Sequence, residues 1–236
     1  MLRSLNSGIW TASPEEFIPR TDRTVCITGH RTKGVIPFRG DPALFRQTVC
    51  CVRMMLGRYI DLAYKAGYTD FMDGLASGTD LWVAKHILLR KRDGWDIRLI
   101  GVMPYLRHAE YFSRQDKAAL TEAELSCDAL ICTNSDPDII YSHTGEGSAL
   151  YRDRNYYMAD SSSVGIAFLN SDSRRSGTGQ TVARLLSQGK DVAVFGSEEA
   201  HLIMEKADCD TTVFSRYIAE IPDPFSGAAK MLPGFT

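Results

Sequence analysis

The sequence predicts an α/β fold built on a doubly wound, mostly parallel sheet with helices on both faces. Short apolar, β-branched runs alternate with longer amphipathic stretches, the connections between them are short, and no internal repeat or low-complexity tract interrupts residues 24 to 195. With 236 residues, 44% of them hydrophobic, the chain is long enough to bury a core as one large domain or two small ones.

The first run, residues 24–28, is β-type and stops at Gly29. From Asp41 and Pro42 to about residue 64, apolar side chains at Phe45, Val49, Val52, Leu56, Ile60 and Ala63 keep one helical face covered, with Asp41 suited to the N-cap and Pro42 to the first turn. There follow a strand at 69–73, a helix from about 79 to 91, and a strand at 97–103 ended by Pro104. A helix at about 108–125, a strand at 129–132, a helix around 149–158 and a strand at 164–169 come next. A helix near 180–187 and a strand at 191–195 complete the series. The expected organisation is an N-terminal extension (1–22), one α/β domain (23–200) and a C-terminal appendage packed on it (201–236).

Composition removes several function classes. Twenty-seven basic residues against 29 acidic give a net charge of −2, without a basic run, so tight coating of nucleic acid or of anionic lipid is disfavoured. No apolar stretch reaches bilayer length, and the N-terminus lacks the apolar core of a signal peptide; a cytoplasmic location and no membrane association are expected. The six cysteines show no CxxC and no zinc-finger spacing, which favours reduced thiols used as small hydrophobes.

In open parallel sheets ligands bind beyond the carboxyl ends of the strands, where helix N-termini offer free N–H groups. Three polar, Gly-bearing loops fall on that edge: Gly29 to Gly34, Gly74 to Asp80, and Asn170 to Thr181. Gly29, Gly74, Gly78, Gly177 and Gly179 would let backbone approach a ligand; Thr28, Ser77, Thr178 and Thr181 would donate hydrogen bonds; Arg31 would neutralise phosphate, with Lys33 beside it. His30 suits a donor or a structural hydrogen bond equally. Thr79 and Asp80 suit the start of a helix, and Asp80 a ribose hydroxyl. Arg154 and Asn155 suit either a brace for the fifth strand or a ligand contact, whereas Trp82, Tyr151, Tyr156 and Tyr157 read first as packing or interface residues. The irregular stretch 133–147 has the length of a lid or contact loop, and Asp136, Asp138 and Glu146 within it have no metal-ligand spacing, so no metal is assigned.

The standard fingerprints are missing. There is no GxxxxGK[ST], no GxSxG and no HExxH, and Val182 stands where GxGxxG needs its third glycine. Four segments instead resemble, in order over about residues 24 to 196, the YpsA-like members of the SLOG superfamily: ITGHR at 27–31, GLASGTDLWVA at 74–84, RNYYMAD at 154–160 and GTGQTV at 177–182. The resemblance implies a Rossmann-like fold, a cytosolic location and a nucleotide or nucleotide-derived ligand as the bound small molecule. The same superfamily holds phosphoribohydrolases with a P-G-G-x-G-T-x-x-E motif whose Glu is catalytic, and DNA-processing proteins that load recombinase on single strands. Here the equivalent position is Arg184 or, one residue earlier, Ala183, so the Glu is absent. The expectation is therefore ligand binding or sensing. N-glycosidic cleavage of a nucleoside monophosphate, with Asp80 or Asp160 replacing the Glu, is the alternative, and single-stranded DNA binding is a third reading against which the net charge speaks. A homo-oligomer is compatible with helices flanking such a sheet, with no face singled out.

Overall fold

In the computed structural model, residues 2–36, 40–134, 136 and 145–226 are described, the side chains of 145–147 excepted. The expected lid 133–147 therefore lies mostly outside the described residues, Asp138 and the Glu146 side chain included, as does the end of the appendage from 227.

Two short strands come first, β1 (Leu2–Arg3) and β2 (Trp10–Thr11), paired antiparallel. The main sheet comprises β3 (Thr24–Gly29), β4 (Asp70–Asp73), β5 (Arg98–Met103), β6 (Ala129–Cys132), β7 (Val164–Phe168) and β8 (Asp191–Phe195), in the order β6-β5-β4-β3-β7-β8 with every pair parallel. Both faces of the inner strands are covered, so β3, β4 and β7 are buried almost from end to end and their burial does not alternate. This is the Rossmann-like α/β architecture that the alternating pattern predicts. The chain first winds outward from β3 to β6, then returns beside β3 to form β7 and β8, which puts the topological switch between β3 and β7.

The helices are α1 (Pro42–Lys65), α2 (Thr79–Arg92), α3 (Arg114–Ser126), α4 (Gly145–Asp160), α5 (Gly177–Ser187), α6 (Ser197–Lys206) and α7 (Phe214–Ile218). Helices α1, α2, α3, α6 and α7 pack among themselves on one face, and α4 with α5 on the other. Asp41 caps α1 through the Ala43 and Leu44 amides, as its sequence predicts. The third helix starts later than its periodicity suggests: residues 105–112 form turns, and Ser113 opens a fresh N-terminus by accepting from the Asp116 amide. Helix α6 runs across residue 200, and Phe214 and Ile218 of α7 sit in the main core cluster, so the segment from 201 to 218 is anchored by apolar burial. None of the helices is long and apolar enough to cross a membrane among the described residues. The six cysteines are all free, and burial pushes the Cys26 and Cys51 thiols up to about 12, as expected of thiols used for packing.

The N-terminal extension closes the β6 edge. Ala12 forms a parallel bridge with Ile131, accepting from Cys132 N–H (2.9 Å) and donating to the Leu130 carbonyl (2.8 Å). At the amino ends of the strands, Asp70 of β4 is buried and accepts from Arg20 Nε (2.8 Å), from a second Arg20 nitrogen and from Arg98 Nη1 (3.2 Å). These are charge-assisted bonds to a desolvated carboxylate, partly screened because both arginines reach water. Asp70→Ala is expected to lower stability by about 1 to 2 kcal/mol and to speed hydrogen exchange at Ala12, since Arg20 ends the extension. Unchanged exchange would show that the bridge alone holds the segment.

Candidate functional site

At the carboxyl edge the chain leaves β4 through a tight loop and enters α2. Asp73, the last residue of β4, accepts from the Leu75 amide at 2.7 Å, and Leu75 takes a left-handed φ of 52°. Such a conformation is unfavourable for leucine, and its burial holds it there: its side chain is fully buried and occupies the space that Gly101 of β5 leaves open. Gly78, with φ 93°, is the N-cap of α2 in place of the expected Thr79. A Cβ at Gly78 would stand 2.5 Å from the Thr32 amide nitrogen, so the loops after β3 and β4 are in direct contact. Thr79 seals that contact by donating to the His30 carbonyl (2.8 Å).

Beneath this loop lies a buried ionic group. Arg154, 4% exposed, reaches from α4 to place Nη1 3.7 Å from Asp80 Oδ2, which also accepts from the Ala76 amide at 3.2 Å. A Cβ at Gly74 would fall on the Arg154 guanidinium, which is why glycine stands there. Burial pushes the Asp80 carboxyl above its usual range, with Arg154 the largest opposing influence. Asp73 is pushed well above it, first by burial and then by the Asp80 charge. Asp73 Oδ2 and Arg154 Nε are buried with no hydrogen-bond partner.

The open space lies on the outer side of this group. A pocket of about 600 Å³ is walled by Arg31, Lys33 and Ser77 from the first two loops, by His108, Tyr111, Phe112 and Ser113 ahead of α3, by Asp116 in its first turn, and by Tyr151 of α4. Arg31 stands 5.6 Å over the Tyr151 ring, with Arg154 5.8 Å from the same ring, and Tyr111 on the wall is 73% exposed. His108 is 5% exposed, and neither ring nitrogen has a hydrogen-bond partner. Burial pushes it down to about 3, helped by the Arg154 and Arg31 charges and opposed by the Tyr105 carbonyl. Among the described residues no three His, Cys, Asp or Glu side chains cluster as metal ligands.

The expected site residues separate into groups. Arg31 and Ser77 line the pocket. Gly74, Gly78, Thr79, Asp80 and Arg154 build its support. His30 instead closes the switch point: its Nε2 accepts from the Asn170 amide (3.1 Å), while Asn170 donates to the Gly34 carbonyl (2.6 Å) and accepts from the Ser197 amide (2.9 Å). Burial lowers the His30 pKa, in keeping with a neutral, accepting imidazole. Thr28, at the end of β3, is nearly fully buried, and a Cβ at Gly29 would collide with the Thr79 side chain. Gly177, Thr178, Gly179 and Thr181 open α5 on the other face of the sheet. There Ser176 caps the helix through the Gly179 amide, Thr181 donates to the Gly177 carbonyl, and Asn155 lies 3.7 Å from where a Gly177 Cβ would be. None of these five, Asn155 included, lines the pocket. Asp160 lies at the far end of α4, just before β7 begins, and accepts from Arg184 Nε and Nη2 (both 2.9 Å) and from Gln188. It is therefore an ion-paired brace at the amino edge, away from the pocket. Sequence reasoning missed His108 and Asp73. It read Tyr151 as packing, although its place on the same helix face as Arg154, three residues on, was the available signal.

No family model and no curated protein matches the chain. Among solved structures it is similar to DNA processing protein A (DprA) from Streptococcus pneumoniae, with 15% identity and a TM-score of 0.43. The match covers 78% of this chain and 56% of that one, so the chain spans little more than half the length of that protein.

Arg154→Met is expected to cost about 3 kcal/mol by leaving buried carboxyls uncompensated. Its removal raises the Asp80 carboxyl further, so the loss grows as pH rises through the raised folded-state value; urea melts at pH 5 and pH 8 would show the larger deficit at pH 8. His108 behaves oppositely. Its folded value lies below the unfolded 6.5, so the unfolded state takes up the proton and stability falls as pH drops from about 6.5 toward 3. His108→Phe should remove that slope and gain on the order of 2 kcal/mol over wild type at pH 5; parallel pH profiles of the two proteins would refute it.

Proposed function

We propose that the pocket at the carboxyl edge binds a phosphorylated small molecule carrying a ring system, a nucleotide or nucleotide derivative. The observation that carries this reading is Arg31. Its guanidinium has no ion pair among the described residues and stands over Tyr151 at a pocket that Lys33 also lines. An Arg held by an aromatic face and left without a counter-charge suits bidentate binding of phosphate. Tyr111, Phe112 and Tyr151 provide aromatic surface for a base, and Ser77 a hydroxyl; about 600 Å³ is within the range of small-ligand sites.

Binding fits the arrangement better than N-glycosidic hydrolysis. The carboxylate on the pocket wall, Asp116, is engaged by the Ser113 hydroxyl at 2.9 Å in the cap of α3, Asp80 lies behind the loop against Arg154, and Asp160 is at the other edge. Hydrolysis needs a carboxylate free to meet the sugar.

Calorimetry with AMP, ADP and NAD tests the reading. At least one is expected to bind, with Arg31→Ala weakening it by about tenfold to a hundredfold and Arg184→Ala leaving it unchanged. Failure of all three at millimolar concentration, or equal affinity in Arg31→Ala, would overturn it.

A further inference from the structure

A second concavity runs along the outer side of the helical layer, about 850 Å³ between α1 and α2, with α7 at one end and the start of α3 at the other. On α1 it follows Phe45 to Asp61, a rise of about 24 Å at 1.5 Å per residue. The lining residues repeat with helical spacing: Arg46, Val49, Cys50, Arg53 and Gly57 on α1, and Trp82, Lys85, His86 and Leu89 on α2. The two helices approach closely because α1 has glycine at 57, where a Cβ would be 2.7 Å from His86 Cε1. His86 Nε2 in turn donates to Asp61 at 2.9 Å, and Asp61 also accepts from Arg90.

The floor is apolar and the rim is basic. Phe45, Val49, Met54 and Trp82 are half-buried and Leu89 is 44% exposed. Arg46, Arg53 and Lys85 are exposed and form no ion pair among the described residues. The carboxylates in the lining, Asp61 and Asp116, are engaged by His86 and Arg90 and by Ser113, so in a chain of net charge −2 these unpaired rim cations along an apolar trough are a local departure from the overall balance.

We propose that this groove docks an acidic amphipathic helix of a partner protein. Its walls are helices, with no strand edge to pair an extended peptide, so the occupant must satisfy its own backbone hydrogen bonds, as a helix does. Its apolar side chains enter between Val49 and Trp82 or Leu89, and its carboxylates meet Arg46, Arg53 and Lys85 across the rim. A concave trough keeps a planar bilayer off its floor. The chain's own last ten residues, 227–236, have the wrong sign for the rim, carrying Lys230 and no acidic side chain. One end of the groove shares Thr32 and Asp116 with the carboxyl-edge pocket, so the docked helix ends beside that site.

Selection of a displayed library of helical peptides against the full chain tests this. Enriched peptides are expected to be acidic, with apolar residues at i, i+3 or i+4, and i+7. They should lose affinity by about tenfold or more toward Arg53→Glu/Lys85→Glu, and weaken with salt. If that double variant melts early, Leu89→Glu serves in its place with the same expectation. Peptides without acidic bias, or equal affinity for the variants, overturn the proposal. So does a wild-type dimer in sedimentation that the variants dissolve, which gives the groove to a second copy. Flotation of wild type but not variant on phosphatidylserine vesicles overturns it as well, by giving the groove to a membrane.

Discussion

The carboxyl edge is organised around one desolvated charge, the Arg154 guanidinium. A cation so deeply buried demands acidic company, which Asp80 and Asp73 provide. Several other features follow from seating it. Gly74 leaves the room that the guanidinium fills, the strand-to-helix turn bends tightly enough to force Leu75 into a left-handed conformation, and Gly101 on the next strand vacates the space that Leu75 occupies. The Tyr151 ring is approached both by Arg154 and by Arg31 of the pocket wall. An exposed cation at the pocket and a buried one behind it thus share one aromatic ring.

The switch point between β3 and β7, where open sheets usually offer their crevice, is occupied by the protein's own side chains. His30 and Asn170 stitch the loops after β3, β7 and β8 together. The available space is displaced toward the loops after β4 and β5, and so the pocket draws on the turns before α3 and on α4, leaving the start of α5 aside.

The sheet was readable because buried parallel strands announce themselves as uninterrupted apolar runs: the starts and ends of β3, β6 and β8 fall within one residue of where composition puts them. Helices α6 and α7 were not, since a ten-residue and a five-residue segment carry too little periodicity to separate from an irregular tail. Arg31 and Ser77 were legible from their loops, and Arg154 was legible as a brace. His108 was hidden in what reads as the first turn of a helix, and Asp73 in a strand. The glycines teach the sharper lesson. A glycine marks a place where something comes close, and at 29, 74, 78 and 179 that something is the chain itself. Only spatial arrangement distinguishes a ligand from an arginine or a carbonyl.

The sheet's central strand also governs how the molecule can be made. Strand β3 pairs with β4 on one side and with β7, some 140 residues further along the chain, on the other. A ribosome extruding this protein delivers β3 to β6 as a four-stranded half-sheet whose β3 flank stays bare until residue 168 has emerged. That flank is a largely apolar strand whose five residues from Val25 to Gly29 lack their β7 partners during that interval. The nascent chain's exposure to wrong partners is thus set by the length of a single crossover, and it ends when β7 docks and His30 and Asn170 lock the seam.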